Sequence, residues 1–234
     1  MYIMEEFMIE RVRNEVSELL KGDDSGHDIS HIERVLNLSL KLSEGVGVDK
    51  NIVSLIALLH DVDDYKLFGE ENAKNLTNAK LIMNKTNINK DIQIKVLDSL
   101  SCIGYSKRLR RIIPSCLEGK IVSDADMCDA LGVNGILRTY KYSLKHGKEF
   151  FDKNIYPVDN LTSEEYKKKT SGSSVCHIFE KILNLKDLML TEVGRKEAEK
   201  RHRIVVDILY HLFDEENALE WKKYLDNYLN KEEI

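Results

Sequence analysis

Residues 51–66 have the sequence NIVSLIALLHDVDDYK. Apolar residues such as Ile52, Leu55 and Leu59 recur every three or four positions in its first part, a pattern that predicts a helix with a broad buried face. This apolar stretch runs directly into His60 and a cluster of three acids. Surface exposure would explain the acids, but not why they end a buried helix. A metal ion explains them better, because imidazole and carboxylate groups are ligands for Mn, Fe, Zn or Mg-type ions and the cation offsets the crowding of like charges.

The rest of the chain has the same helical period. Only two prolines interrupt it, Pro114 and Pro157, and no alternating strand pattern or internal repeat is visible. An all-α protein is therefore predicted. Helices are expected over Met4–Leu20, Ile29–Leu42, Asn51–Leu59, Asp91–Leu100, Cys116–Leu131, Val133–Lys145, Ser163–Leu185, Val193–Phe213 and Glu215–Leu229.

The composition is that of an ordinary globular protein. The chain has 234 residues, 42% hydrophobic and 32% charged, which is enough to bury a sizeable core. The formal net charge of -5 requires neither a nucleic-acid nor a membrane partner. No secretory signal and no apolar run of membrane-spanning length is visible, and the four cysteines have no pairing or zinc-site spacing. We therefore expect a cytoplasmic protein with reduced thiols.

Two other segments contain polar residues that a buried helix would not need. His27 and His31 are four residues apart and would share one face of a helix that starts early enough, and Asp28 is a candidate N-cap for it. Asp126 lies in an otherwise apolar helical stretch. Because acids are rarely buried without a partner, a cation is expected near it. The ordered series of a His, a His-Asp doublet and a later Asp is much more specific than any one of these residues.

This series resembles the signature of the HD-domain phosphohydrolases. The similarity is greatest to their bacterial YedJ/YpgQ-like branch, through the segments GHDxxHxxRV, LLHDxxDxK and DADxxDALG. Here these are Gly26–Val35, Leu58–Lys66 and Asp124–Gly132, and Cys176–Leu183 extends the resemblance over most of the chain. The resemblance implies an HD-domain helical bundle with additional C-terminal helices. We expect one HD-domain unit over residues 1–234, with a metal-binding core at about 22–147 and a C-terminal helical part at about 163–230.

The resemblance also implies a metal site. Its ligands would be His31, His60, Asp61 and Asp126, with Asp124 as the alternative for the last of them. Two imidazoles and two carboxylates leave open positions for a water molecule and a phosphate oxygen, as a metal hydrolase requires. We expect one divalent ion, Mn²⁺, although this ligand set would also accept Mg²⁺, Fe²⁺, Co²⁺, Ni²⁺ or Zn²⁺.

Other residues are candidates for catalysis and for substrate binding. Asp64 is similar in position to the acid that handles the attacking water in related mononuclear enzymes, so it is predicted to orient or deprotonate that water. Lys66 is predicted to pair with a substrate phosphate. Further candidates for phosphate contact are His27, Arg34, His177 and Lys181. Structural alternatives stay open: an exposed turn acid for Asp64, a helix-surface residue or a brace for the metal loop for Arg34, and a surface pair for His177 and Lys181.

Several motifs are missing from the sequence. None of the seven histidines lies between Asp61 and Asp126, where dinuclear phosphodiesterases of the family place extra ligands. One metal is therefore predicted, and hydrolysis of cyclic dinucleotides is disfavoured. The chain also has no Gly-rich P-loop and no Gly-x-Ser-x-Gly elbow, so P-loop ATP chemistry and serine hydrolysis are disfavoured too.

The predicted activity is metal-dependent hydrolysis of a nucleotide. The YedJ/YpgQ resemblance implies (deoxy)nucleoside triphosphates as substrates and pyrophosphate as a product. One alternative is a nucleotide-sensing or scaffolding domain with a retained metal site, and another is a phosphomonoesterase that acts on a different small phosphorylated molecule. Asp64 and Lys66 favour an enzyme, because a pure binding module does not need them.

Overall fold

The structure, a computed structural model, describes residues 2–22, 28–158 and 172–232. Its regular elements are helices, and no strand occurs among these residues, which confirms the predicted all-α fold. The chain divides into two compact units, Met1–Asp129 with Leu188–Arg195 and Ala130–Asp187 with Lys196–Ile234. The single HD-domain unit, with its core at about 22–147, stays a prediction.

Eight helices of the described part lie in the first unit. They are α1 (Tyr2–Leu19), α2 (Ile29–Leu42), α3 (Lys50–Leu59), α4 (Tyr65–Asn75), α5 (Thr77–Lys85), α6 (Lys90–Leu100), α7 (Tyr105–Leu109) and α8 (Leu117–Asp129). The helices α2, α3 and α8 pack against one another, and α1 and α6 pack on α3. Fully buried aliphatic side chains from the three central helices form the core, among them Ile32, Val35, Leu36, Leu55, Ile56, Ile121, Val122 and Ala125. The pattern of residues 51–59 thus correctly predicted a buried helix.

Acidic side chains fix where the helices around the core begin. Asp28 caps α2, as predicted, by accepting the backbone N–H of His31 at 3.0 Å. Asp64 caps α4 by accepting the N–H of Lys66 at 2.9 Å. Asp63 is buried and accepts the N–H groups of Asn78 and Ala79 at the start of α5. Because these caps tie the segment after α3 to two further helices, they hold His60 and Asp61 in a defined place.

The second unit contains the remaining elements. These are α9 (Gly132–Lys145), α10 (Ser174–His177), a π-helical turn (Ile178–Ile182), a 3₁₀ segment (Leu183–Leu188), α11 (Glu192–Glu215), whose first turn belongs to the first unit, and α12 (Leu219–Glu232). Trp221 of α12 is buried and packs against Phe151, Tyr156 and Phe213. Its indole N–H donates to the carbonyl of Lys153 at 3.1 Å.

Some helix predictions differ from the structure. Helices α4, α5 and α7 were not predicted; no residue of α4 is buried, and α7 has only five residues. The predicted helix Ser163–Leu185 lies partly outside the described residues, and from Ser174 onward it changes from α to π to 3₁₀ geometry. The predicted helix Cys116–Leu131 ends at Asp129, because Leu131 is extended and Gly132 takes a φ of +78°, which starts α9.

The four cysteines are all free thiols, two buried and two half-buried, which agrees with the prediction of unpaired cysteines. Within the part of the chain that the structure describes, no helix combines the length and the apolar character needed to cross a bilayer.

Candidate metal centre

Four polar side chains from the three central helices converge in the first unit. His31 comes from the first turn of α2, His60 and Asp61 follow the end of α3, and Asp126 lies in α8. The Nε2 atom of His31 is 3.1 Å from Nε2 of His60. It is also 3.3 Å from Oδ2 of Asp61 and 3.5 Å from Oδ1 of Asp126. The sequence-predicted ligands are therefore neighbours, although His31 and Asp126 are far apart along the chain.

The two imidazoles are oriented by hydrogen bonds on their other ring nitrogen. Nδ1 of His31 is 2.7 Å from Oδ2 of Asp129, and Nδ1 of His60 is 2.7 Å from the carbonyl oxygen of Ala57. Both partners are acceptors, so each Nδ1 donates a proton. In the neutral rings, each Nε2 then has a lone pair, and the two lone pairs meet across 3.1 Å. A cation or a proton is needed between them.

The electrostatics of the cluster point the same way. Burial lowers the pKa of His31, but hydrogen bonds with Asp126, Asp129 and Asp61 outweigh burial and raise the pKa well above its ordinary value. Burial raises the pKa of Asp126, yet the hydrogen bond with His31 and the charges of His60 and His31 leave it below the ordinary range. The carboxylates thus favour positive charge at the centre of the cluster.

The donor set fits a divalent metal ion. One ligand atom from each of His31, His60 and Asp126 lies within 4.8 Å of the other two. Oδ2 of Asp61 is 3.6 Å from Nε2 of His60, which adds a second carboxylate. Imidazole nitrogen with carboxylate oxygen suits Mn, Fe, Co, Ni and Zn, and the mixed set does not select one of them. The imidazoles are 1% exposed, whereas Asp61 and Asp126 are 15% and 20% exposed, so solvent reaches the cluster on its carboxylate side.

Asp124, the alternative ligand, contacts a different part of the first unit. Its carboxylate accepts the N–H groups of Leu190 and Thr191 and the hydroxyl of Thr191, all at 2.7–2.8 Å. Burial raises the pKa of Asp124, and these hydrogen bonds lower it only in part. Because its described hydrogen-bond partners are donors from the chain itself, this geometry supports Asp126 rather than Asp124 as a ligand.

The two predicted catalytic residues lie at the start of α4. Asp64 is half-buried and caps the helix, and Lys66 is exposed, with its Nζ 5.9 Å from the centroid of the Tyr65 ring. An N-cap needs only one carboxylate oxygen, so this contact is compatible with the catalytic role as well as with the structural alternative. Their catalytic roles stay predictions.

The described candidates for phosphate contact belong to both units. Arg34 lies in α2 and donates from Nε and Nη2 to Asp129, at 2.7 and 3.0 Å. His177, at the end of α10, and Lys181, in the π-helical turn, belong to the second unit and are both half-buried. His27 lies outside the described residues. Phosphate contact by these four residues stays a prediction.

Asp129 is a site residue that sequence reasoning missed. It is the last residue of α8, 2% exposed, and it contacts both His31 and Arg34. The available signal was its position three residues after Asp126, which places both acids on one face of a helix. An acid at a helix end reads as a surface residue unless its partners on another helix are known.

Known proteins resemble the chain over most of its length. A sequence model of the HD domain matches residues 28–131. The protein YpgQ of Bacillus subtilis (strain 168) is 30% identical over 205 residues, which cover 87% of this chain and 91% of YpgQ. An HD-superfamily hydrolase of Bacillus thuringiensis has a crystal structure that is 33% identical, covers 92% of this chain and 99% of its own, and superposes with a TM-score of 0.71.

The crystal structure of Bacillus subtilis YpgQ in complex with ADP superposes on this chain with a TM-score of 0.68. The two sequences are 27% identical, and the match covers 91% of this chain and 96% of the YpgQ chain. These matches extend through both units, beyond the segments that carry the metal ligands. They confirm the resemblance that the sequence motifs predicted. The chain therefore belongs to the HD-domain superfamily of metal-dependent phosphohydrolases, in the YpgQ-like branch.

Proposed function

We propose that this protein hydrolyses nucleotides, (deoxy)nucleoside triphosphates with release of pyrophosphate, at a single divalent metal site formed by His31, His60, Asp61 and Asp126. The observation that carries the proposal is the meeting of two imidazole Nε2 atoms at 3.1 Å, with both Nδ1 atoms committed to acceptors. Together with two carboxylates, this arrangement is unfavourable unless a positive charge lies between the four groups.

The side chains around the site have distinct proposed roles. A divalent ion bound there supplies Lewis-acid activation of water and charge neutralisation at the phosphate. Asp64 orients or deprotonates the attacking water, and its bond to the N–H of Lys66 holds the carboxylate at a fixed helix start. Lys66 neutralises a phosphate oxygen as a point charge on the first turn of α4.

The proposal of a nucleotide substrate is supported by the ADP complex of Bacillus subtilis YpgQ. The cationic side chains proposed for phosphate contact are those of His27, Arg34, His177 and Lys181. Mn²⁺ is the ion we propose. We keep the cytoplasm as the proposed location, because all four thiols are free.

The test is a hydrolysis assay with the purified protein. Release of phosphate and of pyrophosphate would be measured over a panel of nucleoside mono-, di- and triphosphates, with Mn²⁺, Mg²⁺, Co²⁺ or EDTA. Triphosphates with Mn²⁺ should give pyrophosphate, and EDTA and His60→Ala should each abolish it. Absence of metal-dependent release over the whole panel would overturn the proposed activity. Nucleotide binding in a thermal-shift assay without any product would favour the sensing domain, and phosphate release from monophosphates would favour the phosphomonoesterase.

Asp64 needs a variant that separates its two roles. Asp64→Ser keeps an oxygen that can cap α4 but removes the carboxylate, because serine is an N-cap residue of similar strength. A loss of about 100-fold or more in kcat in Asp64→Ser, with an unchanged melting temperature, is expected for a general base. If Asp64→Ser keeps wild-type kcat, the carboxylate only caps the helix.

A further inference from the structure

The buried carboxylate of Asp129 links two functional side chains of α2. Its Oδ2 is 2.7 Å from Nδ1 of His31, and Arg34 donates to both of its oxygens, at 2.7 and 3.0 Å. We propose that Asp129 is a positioning residue that keeps His31 in the tautomer whose Nε2 lone pair faces the metal site, and that Arg34 holds Asp129 in place. This inference rests on the proposed metal site.

The hydrogen-bond chemistry fixes the tautomer. An ionised carboxylate can only accept, so Nδ1 of His31 has to carry the proton, and rotation of the ring would break this bond. The lone pair of Nε2 is thereby directed at Asp61, Asp126 and His60. A carboxylate on the distal nitrogen also increases the basicity of the ligating one, which strengthens its bond to a metal.

Arg34 explains how a buried carboxylate can remain charged. Asp129 is 2% exposed, and a buried anion without a partner would be strongly destabilising. The two-pronged bond with Arg34 offsets this cost, since guanidinium matches the geometry of carboxylate and does not deprotonate. The hydrogen bond with Asp129 in turn raises the pKa of Arg34.

The four residues form a regular arrangement between two helices. His31 and Arg34 are three residues apart on α2, and Asp126 and Asp129 are three residues apart on α8. His31 and Asp126 point into the proposed metal site, and Arg34 and Asp129 bind each other beside it. Packing of α2 on α8 therefore sets the geometry of the site directly.

His60 provides an internal contrast. Its Nδ1 donates to a neutral backbone acceptor, the carbonyl of Ala57, one turn earlier in the same chain segment. No change of side chain can remove that acceptor, whereas the acceptor for His31 depends on Asp129. Of the two histidine orientations, only that of His31 therefore depends on side chains that substitution can change, those of Asp129 and Arg34.

Metal affinity tests the proposal without relying on activity. Mn²⁺ would be titrated calorimetrically into the metal-stripped wild type and into Asp129→Asn, Arg34→Gln and Glu33→Gln. Glu33 is the matched control, because it is a carboxylate of the same helix that pairs with an arginine, Arg13, at 3.1 Å, and it has no described contact with His31. Circular dichroism would establish that each variant is folded, and Arg34→Gln serves if Asp129→Asn does not fold.

The Mn²⁺ dissociation constant should increase about 10- to 100-fold in Asp129→Asn and by a smaller factor in Arg34→Gln, with Glu33→Gln equal to wild type. The KM for nucleotide at saturating Mn²⁺ should stay constant in Asp129→Asn. A wild-type dissociation constant in Asp129→Asn would overturn the inference. An increase of KM in Arg34→Gln with an unchanged Mn²⁺ dissociation constant would overturn the positioning role of Arg34 and leave only its proposed phosphate contact.

A tautomer measurement separates failure of this inference from failure of the proposed function. Imidazole ¹⁵N shifts of the metal-free protein, at a pH where the ring is neutral, should show His31 protonated at Nδ1 in the wild type and at Nε2 in Asp129→Leu. If the wild type binds no Mn²⁺ but the tautomer changes, the proposed function is wrong and the positioning contact stands. If Mn²⁺ binds but the tautomer of His31 is the same in both proteins, the inference is wrong.

Discussion

Two aspartates of α8, separated by one residue, have opposite surroundings. Asp124 is fully buried and accepts three hydrogen bonds from Leu190 and Thr191. Asp126 is 20% exposed, and its Oδ1 lies 3.5 and 3.9 Å from the Nε2 atoms of His31 and His60. Donors of the chain satisfy the carboxylate of Asp124, whereas the groups around Asp126 favour a positive charge between them, from a proton or a metal ion. Burial of an acid therefore does not by itself identify a functional site; the chemistry of its partners does.

The histidines repeat this contrast. His31 is surrounded by carboxylates that raise its pKa well above the ordinary value. His202, in the second unit, is also buried, but burial and the charge of Lys186 lower its pKa to about 4. One environment favours a positive charge at the imidazole and the other disfavours it.

Replacement of Asp126 should have the largest effect. Asp126→Asn removes an anionic ligand, so kcat/KM for the nucleotide is expected to fall by about 1000-fold or more, the equivalent of about 4 kcal/mol of lost stabilisation at the transition state. The measurement is pyrophosphate release at saturating Mn²⁺. Wild-type activity in Asp126→Asn would contradict the contrast between Asp124 and Asp126, because Asp126 would then not be a metal ligand.

Asp124→Ala should reduce stability instead. Without the carboxylate, the N–H groups of Leu190 and Thr191 lose their described acceptor, and the free energy of unfolding should fall by about 2–4 kcal/mol. Urea denaturation measures this loss. Affinity for Mn²⁺ in the folded variant should equal that of the wild type, and a loss of Mn²⁺ affinity would indicate that Asp124 takes part in the metal site after all.

The buried His202 should make the protein sensitive to acid. Its pKa of about 4 lies below the ordinary 6.5, so the unfolded chain binds more protons between these two pH values. The free energy of unfolding therefore falls as pH falls through this window, by at most about 3 kcal/mol. His202→Leu removes this dependence, and the difference in stability between variant and wild type should shrink on acidification. If the difference in stability between variant and wild type is constant from about pH 7 to about pH 4, the pKa of His202 is the same in the folded and the unfolded chain.

Substitution of Gly194 tests how tightly the protein packs around Asp124, and it should have the smallest effect of the four. A Cβ at this position would lie 2.3 Å from Oδ2 of Asp124, so Gly194→Ala should destabilise the protein by about 1–3 kcal/mol. The destabilisation should shrink in part in a background that already carries Asp124→Ala, because the contacts with Oδ2 and Cγ are removed while the contact with Cβ, at 2.7 Å, remains. Additive losses in the double variant would show that the clash with the carboxylate does not cause the destabilisation. Metal affinity should be unaffected in either background.

The sequence indicated the candidate metal site because its residues are chemically out of place. His60 and Asp61 follow a largely apolar helix, and Asp126 lies in a largely apolar stretch of another, so a local pattern indicated each one. The helical period of residues 51–59 likewise reflected burial on every side. These features are local, and the family resemblance joined them into one site.

Features that depend on tertiary contacts could not be predicted. Asp129 resembles a helix-terminal acid until α2 is placed against α8, and Arg34 resembles a surface residue for the same reason. No residue of α4 is buried, and the Asp64 cap fixes where the helix begins. The preference for Asp126 over Asp124 as the proposed ligand depends on Thr191, which donates to Asp124 and lies far from both in the sequence.

The most direct test of this account is a calorimetric titration of Mn²⁺ into the metal-stripped wild type, Asp126→Asn and Asp124→Asn. We expect one ion per chain in the wild type, a loss of affinity of at least about 100-fold in Asp126→Asn, and wild-type affinity in folded Asp124→Asn. No binding to the wild type, or an equal loss in both variants, would contradict the assignment of the metal site to the Asp126 face of α8.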